Sequence, residues 1–305
     1  MEIQEVVDAV NGRLVGNDEF FSIDGFTGKF TFLNDSHTGD IVIRHWINDI
    51  GIEMAEKLNF PLIITDRIEL ANAFALSYTV EKFSPNSTNI VITGTNGKST
   101  TSHLIYHILK TAGFNVFTNT DSESEFNTLI DPMVSKLIVD EVNSNGELDY
   151  MVVEVSEVQG WLGKLMKNHA ALMSEAINPK VGVITNIAMD HIGLVNSIDD
   201  VFEEIVAVPN AIGDGICVLN HDDELVMKLD AKNPFYTSMS EMDKLNSVYF
   251  NGNEIIYRGD VLLKGQDLPF TGRHFIQNIL SAIGACISLG IDKENIIEGV
   301  KSYKA

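Results

Sequence analysis

Apolar and polar positions follow two patterns along the chain. Residues 1 to about 85 read as short strands and one helix: GRLVG, FTGKFTFL, GDIVIRHW, an amphipathic helix from Asp49 to Leu58, and the buried strand FPLIIT. This predicts a small α/β unit. Turn residues then gather in SPNST, Ser84 to Thr88, which places a boundary there, with 1–86 as one domain and 87–305 as the next. From Asn89 buried strands alternate with helices: NIVIT, a helix from Lys98 to Ala112 stopped by Gly113, NVFT, a helix from Pro132 to Val142, DYMVVEVS, VGVITNI and GICVLN. Such alternation predicts crossover helices on a parallel sheet. Short β-like pieces with glycine at their turns span Asn251 to Leu268, and helices follow from Phe275 to Leu289 and near IIEGVKSYKA. The expected fold class is α/β, a small front domain followed by a P-loop domain with a doubly wound, mostly parallel sheet.

Length and composition narrow the function. The 305 residues suit about two domains at roughly 150 residues each, and 45% hydrophobic with 21% charged residues is ordinary globular composition. Formal net charge is −22, so nucleic acid and anionic membrane faces are excluded as main ligands by repulsion. No apolar run approaches the roughly 18 residues of a spanning helix, and MEIQEVVDAV lacks the order of a secretory signal. Cys217 and Cys286 stand far apart in apolar surroundings and read as buried free thiols. A cytoplasmic protein without membrane insertion is expected, and the glycosylation triplet at Asn86 carries no weight.

Chemistry enters with GTNGKST, Gly94 to Thr100, directly after a buried strand and opening a helix. The loop is shorter by two residues than G-x-x-x-x-G-K-[ST], yet it keeps the physical parts. Glycines admit phosphate to the backbone, helix-start N–H groups supply positive potential, Lys98 neutralises outer phosphates, and Ser99 can ligate Mg²⁺. An ATP site follows; a glycine-rich helix start with a solvated lysine is the competing reading. In an open parallel sheet, residues just past neighbouring strand ends converge on one ligand. One such end carries Glu154, Ser156, Glu157 and Gln159, another Asn186, Asp190 and His191. Glu154 and His191 could complete a magnesium shell, although nitrogen is an unusual ligand for so hard a cation.

GTNGKST, then E-V-S at Glu154, then N-x-x-x-D-H from Asn186 to His191 resembles the Mur ligase family of ATP-dependent amide ligases. VLNHDDELV resembles that family's Asn-x-Asp-Asp segment, and GRHFIQNILSAIGACISLGI its G-x-H-N-x-x-N-x-L-A-A-I helix. FTGKF and GDIVI are similar to the front substrate domain of the MurE and MurF type, and DHIGLVNSIDDVF to cyanophycin synthetase; archaeal pseudomurein peptide ligases are a further branch. The resemblance implies phosphate contacts from Gly94, Thr95, Asn96, Gly97 and Lys98, and magnesium on Ser99, Glu154 and His191. It makes Lys98, Glu154 and His191 the catalytic set, supported by Thr100 and Asn186, with Asn278 on the adenine and Gln159 matching a family glutamine. It implies ATP and Mg²⁺ as cofactors, a carboxylate-bearing acceptor and an amino acid as substrates, and an acyl phosphate between them, in murein or pseudomurein precursor synthesis. Thr27, Lys29, Arg44 and His45 are weak candidates for holding the acceptor.

Three departures stand out. Phe275 replaces the first asparagine of the adenine helix, so ring stacking or core packing takes the place of a base-edge hydrogen bond. No Lys or Arg lies between Lys180 and Lys228, where the resemblance implies a carbamylated lysine on a second magnesium. Glu203 or Glu204, behind a capping-box-like start at Ser197 to Asp200, is expected to supply that carboxylate, a solvated helix face being the alternative. The family's third domain has no counterpart before Ala305, so a C-terminal domain in cis or a partner chain in trans is expected to complete the site. A nucleotide-dependent regulatory protein and a ligase that has lost its chemistry are the competing functions.

Overall fold

The computed structural model describes residues 3–16, 42–44, 53, 57, 61–120, 131–161 and 163–304. Thr27, Lys29, His45 and nearly all of the helix expected over 49–58 lie outside the described residues, as does the side chain of Arg44. In chain order come α1 (Ile3–Ala9), β1 (Arg13–Gly16), β2 (Val42–Arg44), β3 (Pro61–Ile64), α2 (Ile68–Phe83), β4 (Thr88–Thr93), α3 (Lys98–Thr111) and β5 (Val116–Thr118). Next are α4 (Asp131–Asn145), β6 (Tyr150–Glu154), β7 (Gly160–Trp161), β8 (Lys164–Leu165), α5 (His169–Ile177), β9 (Val181–Ile184), α6 (Ile198–Ile205), α7 (Val208–Ile212) and β10 (Ile216–Asn220). The chain closes with β11 (Pro234–Ser238), β12 (Ser247–Phe250), β13 (Glu254–Tyr257), β14 (Asp260–Lys264), α8 (Arg273–Ser288) and α9 (Lys293–Ser302).

Contacts divide the chain into two compact units, Met1–Pro85 with Ile130–Ser144, and Asn86–Leu129 with Asn145–Ala305. The segment holding most of α4 therefore groups with the front residues although it follows β5 in the chain. In the first unit β3 lies between β1, antiparallel to it, and β2, parallel to it. Val6, Val7 and Val10 pack there with Ile63 and Ala71.

The second unit is built on a nine-stranded sheet in the order β14-β13-β12-β11-β10-β9-β4-β6-β5. Strands β5 to β12 of that order run parallel, and β13 and β14 close one edge as an antiparallel pair. Strands β4, β6 and β9 are buried at nearly every position because helices cover both pleats. Ile90 and Ile92 pack with Leu104, Ile105 and Ile108 of α3 and with Ile279, Leu280 and Ile283 of α8. Val91, one pleat over, faces the other way: a Cβ on Gly182 would lie 3.4 Å from its Cγ1 and 2.0 Å from Ile212 of α7. Close approach also explains Gly299 in α9, where a Cβ would come within 2.7 Å of the Ile108 Cα.

Order matters more than strand count for the site. From β4 the chain runs through α3 to the edge strand β5, returns to insert β6 between them, and later adds β9 on the opposite side of β4. Strand order reverses around β4, which opens a crevice beyond the carboxyl ends of β6, β4 and β9. Among the described residues no helix is long and apolar enough to cross a membrane.

Candidate nucleotide and cation site

The glycine turn after β4 takes its shape from the end of β9. Gly94 has φ 116°, and a Cβ there would sit 2.4 Å from Thr185 Oγ1 and 2.9 Å from the Asn186 carbonyl oxygen, so only glycine fits. Thr95 N–H donates to the Asn186 carbonyl at 2.9 Å, and Ala188 N–H donates to Thr95 Oγ1 at 2.9 Å. The Asn186 amide clasps one peptide unit from both sides, accepting from Asn96 N–H at 3.0 Å and donating to the Asn96 carbonyl at 2.7 Å. Gly97 caps α3 in the left-handed region at φ 83°, where a Cβ would fall 2.2 Å from Asn278 Oδ1. Helix α8 thus rests Asn278 on the turn itself. No side chain caps α3, which leaves its first-turn N–H groups open to an anion.

Lys98 occupies the middle. Its Nζ donates to the Gly94 carbonyl at 2.7 Å, the Thr95 carbonyl at 3.0 Å and Glu157 Oε2 at 2.8 Å. The lysine side chain is 12% exposed and Glu157 is fully buried. Across from them His191 Nε2 lies 3.3 Å from Glu157 Oε1. His191 holds a left-handed φ of 55°, and its N–H donates to Asp190 Oδ1 at 2.7 Å. The Glu157 carboxylate holds the imidazole pKa above 6.5, against the opposing effect of burial, and Lys98 also opposes.

Glu154 ends β6 and is braced from three elements. Asn119, just past β5, donates to its carbonyl at 2.9 Å and accepts from its N–H at 2.8 Å. Thr120 Oγ1 donates to Glu154 Oε2 at 3.1 Å, and Ser99 Oγ donates to Oε1 at 3.3 Å. Burial raises the Glu154 pKa, and Lys98, Ser99, Thr120 and His103 pull it back. A bound cation would favour the charged carboxylate further. The facing hard oxygens of Ser99 and Glu154 are the chemistry magnesium takes.

The crevice gathers Gly94 to Ser99, Glu154, Asn186, His191 and Asn278 around one ammonium, whose charge acts on both Glu154 and His191. His191, however, meets Glu157 rather than Glu154. Thr100 lies in the first turn of α3, and Gln159 donates only to the neighbouring Gly160 carbonyl at 3.3 Å. Glu203 is exposed on α6, whereas Glu204 is buried and accepts the Asn168 N–H at 2.6 Å, so its carboxylate serves the start of α5. Phe275 is a surface ring, 44% exposed and 5.1 Å from the ring of Phe270, which sets core packing aside. Sequence reasoning gave Glu157 and Thr120 no role. Two carboxylates three residues apart at a strand end were the available signal for Glu157; Thr120 had none.

A P-loop between the ends of three parallel strands, with carboxylates and an imidazole around its lysine, defines a nucleotide-handling α/β protein. The Mur ligase middle domain matches residues 92–286, more than half of the chain, and the chain belongs to the Mur ligase family. It is 28% identical over 231 residues to UDP-N-acetylmuramate--L-alanine ligase of Clostridium acetobutylicum, covering 71% of this chain and 44% of that protein. It is 34% identical over 242 residues to cyanophycin synthetase of Geminocystis herdmanii, covering 70% of this chain and 26% of that protein. The chain therefore spans less than half the length of either relative. Its fold is like that of MurF from Acinetobacter baumannii, with TM-score 0.70 and 18% identity over 99% of this chain and 68% of the other.

Proposed function

We propose that the chain carries the ATP-activating part of a carboxylate–amine ligase. An oxygen of the acceptor carboxylate attacks the γ-phosphorus of ATP, the bond to the bridging oxygen of ADP breaks, and an acyl phosphate forms. The nitrogen of an amino acid then bonds to the activated carbonyl carbon, phosphate leaves with the C–O bond electrons, and the nitrogen gives up a proton. Backbone N–H groups from Gly94 to Ser99 cradle the phosphates, and Lys98 shifts from the Gly94 and Thr95 carbonyls to the phosphate oxygens. Ser99 and Glu154 would hold magnesium, which when bound neutralises phosphate charge. Asn278, seated on Gly97, borders the base side. The front unit would hold the acceptor, in murein or pseudomurein precursor synthesis in the cytoplasm.

The observation that carries this reading is the convergence on Lys98 Nζ of the turn after β4 and the acid after β6. The test is phosphate release from ATP by the chain, with amide product read by mass spectrometry, against cell-wall precursor acceptors. Release that requires acceptor and amine together, and that is lost in Lys98→Ala, is the expected outcome. ATP binding that drives partner association with no amide formed would instead make the protein a regulator.

A further inference from the structure

The two oxygens of Glu157 have different fates. Oε2 accepts from Lys98 at 2.8 Å. Oε1 is buried, has no hydrogen-bond partner, and points at His191 Nε2 3.3 Å away. An orphaned carboxylate oxygen in a site with no water access is costly, and such a group persists where something else satisfies it. Asp190 stands beside it: one ligand atom each from Glu157, Asp190 and His191 lie within 4.8 Å of one another. They form the one such group among the described residues. The imidazole is 32% exposed and Asp190 is exposed, so the cluster is dry at Glu157 and open to solvent at the other two.

We propose that Glu157, Asp190 and His191 bind a divalent cation, separate from the one assigned to Ser99 and Glu154. Glu157 is a bridge, one oxygen on the lysine and the other on the metal, so metal and lysine do not compete for it. Two carboxylates and a neutral imidazole make a mixed oxygen and nitrogen set, which suits Mn²⁺ better than Mg²⁺. The cation's task, countering phosphate charge on the β9 side of the turn, rests on the ligase reading; its binding does not.

The probe is Mn²⁺ alone, titrated into the nucleotide-free 305-residue chain, with free Mn²⁺ read by electron paramagnetic resonance and the bound ion by pulsed spectra. Wild type should bind Mn²⁺ more tightly than Mg²⁺ and show nitrogen coupling from one imidazole. His191→Ala should abolish that coupling, and Glu157→Gln should weaken binding roughly tenfold or more. Asp190→Asn, on an exposed loop where folding is safe, should weaken it severalfold, and Glu203→Gln should change nothing. Bound Mn²⁺ without nitrogen coupling, or equal affinity in Glu157→Gln and Asp190→Asn, overturns the site. Amide formation by a protein lacking this signature would refute the cation site and spare the ligase reading; the signature without amide product would do the reverse.

Discussion

Two buried carboxylates, one after β6 and one at the end of α6, show how differently the same group is used. Glu157 is held by a side chain, Lys98, and faces another, His191. Glu204 accepts a backbone N–H, that of Asn168 at 2.6 Å, at the start of α5. An oxygen spent on a backbone amide secures a helix end and has little left for a ligand. An oxygen facing side chains from neighbouring strand ends sits where a ligand collects. The carboxylate sought in α6 in place of the absent lysine is thus matched by one after β6.

The largest expected effect strands Glu157. Lys98→Met leaves a fully buried carboxylate without its cation, at a cost of about 3 kcal/mol in urea unfolding. No loss of stability would show that the lysine does not settle Glu157. Next, Ser197→Ala tests α6 as scaffold. Ser197 Oγ accepts the Asp200 N–H, and the Asp200 carboxylate accepts the Ser197 N–H, so losing this box should cost about 1 kcal/mol while Mn²⁺ affinity stays unchanged. A drop in Mn²⁺ affinity would bring α6 back into the site.

The smallest effect separates charge from hydrogen bonding at Glu204. Burial raises its folded pKa above the ordinary 4.5, with the Asn168 amide opposing, so the fold disfavours the charged form. The resulting penalty is absent below the unfolded pKa and develops as pH rises through the folded one. Glu204→Gln keeps an acceptor for Asn168 and drops the charge. Urea unfolding should find it slightly more stable than wild type at pH 7, with the difference closing below pH 4.5; a Gln variant less stable at pH 7 than wild type would reverse the argument.

Much of the fold was legible because its strands are continuous apolar runs. NIVIT, DYMVVEVS and VGVITNI lie in a sheet interior where nothing polar is tolerated, and their helices end at glycines such as Gly113 and Gly290. Strands β11 and β12 were not foreseen, since NPFYTS and SVYF are short and mix polar with apolar residues. In the site, Gly94 to Ser99 stood out because adjacent residues form the cradle. The contact of Asn278 with Gly97 joins groups 181 positions apart, and no local pattern encodes it.

Residue order alone established the alternating strands and helices, the glycine turn with its lysine, and the acids and imidazole past the strand ends, because burial and turn geometry act over a few neighbours. Which acid meets which partner was decided by the crossovers that put β6 and β9 on either side of β4. That arrangement gives Glu154 to Ser99, Glu157 to Lys98 and His191, and leaves Glu204 to a helix end. Ion pairs and hydrogen bonds act over a few ångströms of space, and the chain's fold, not its spacing, sets those distances.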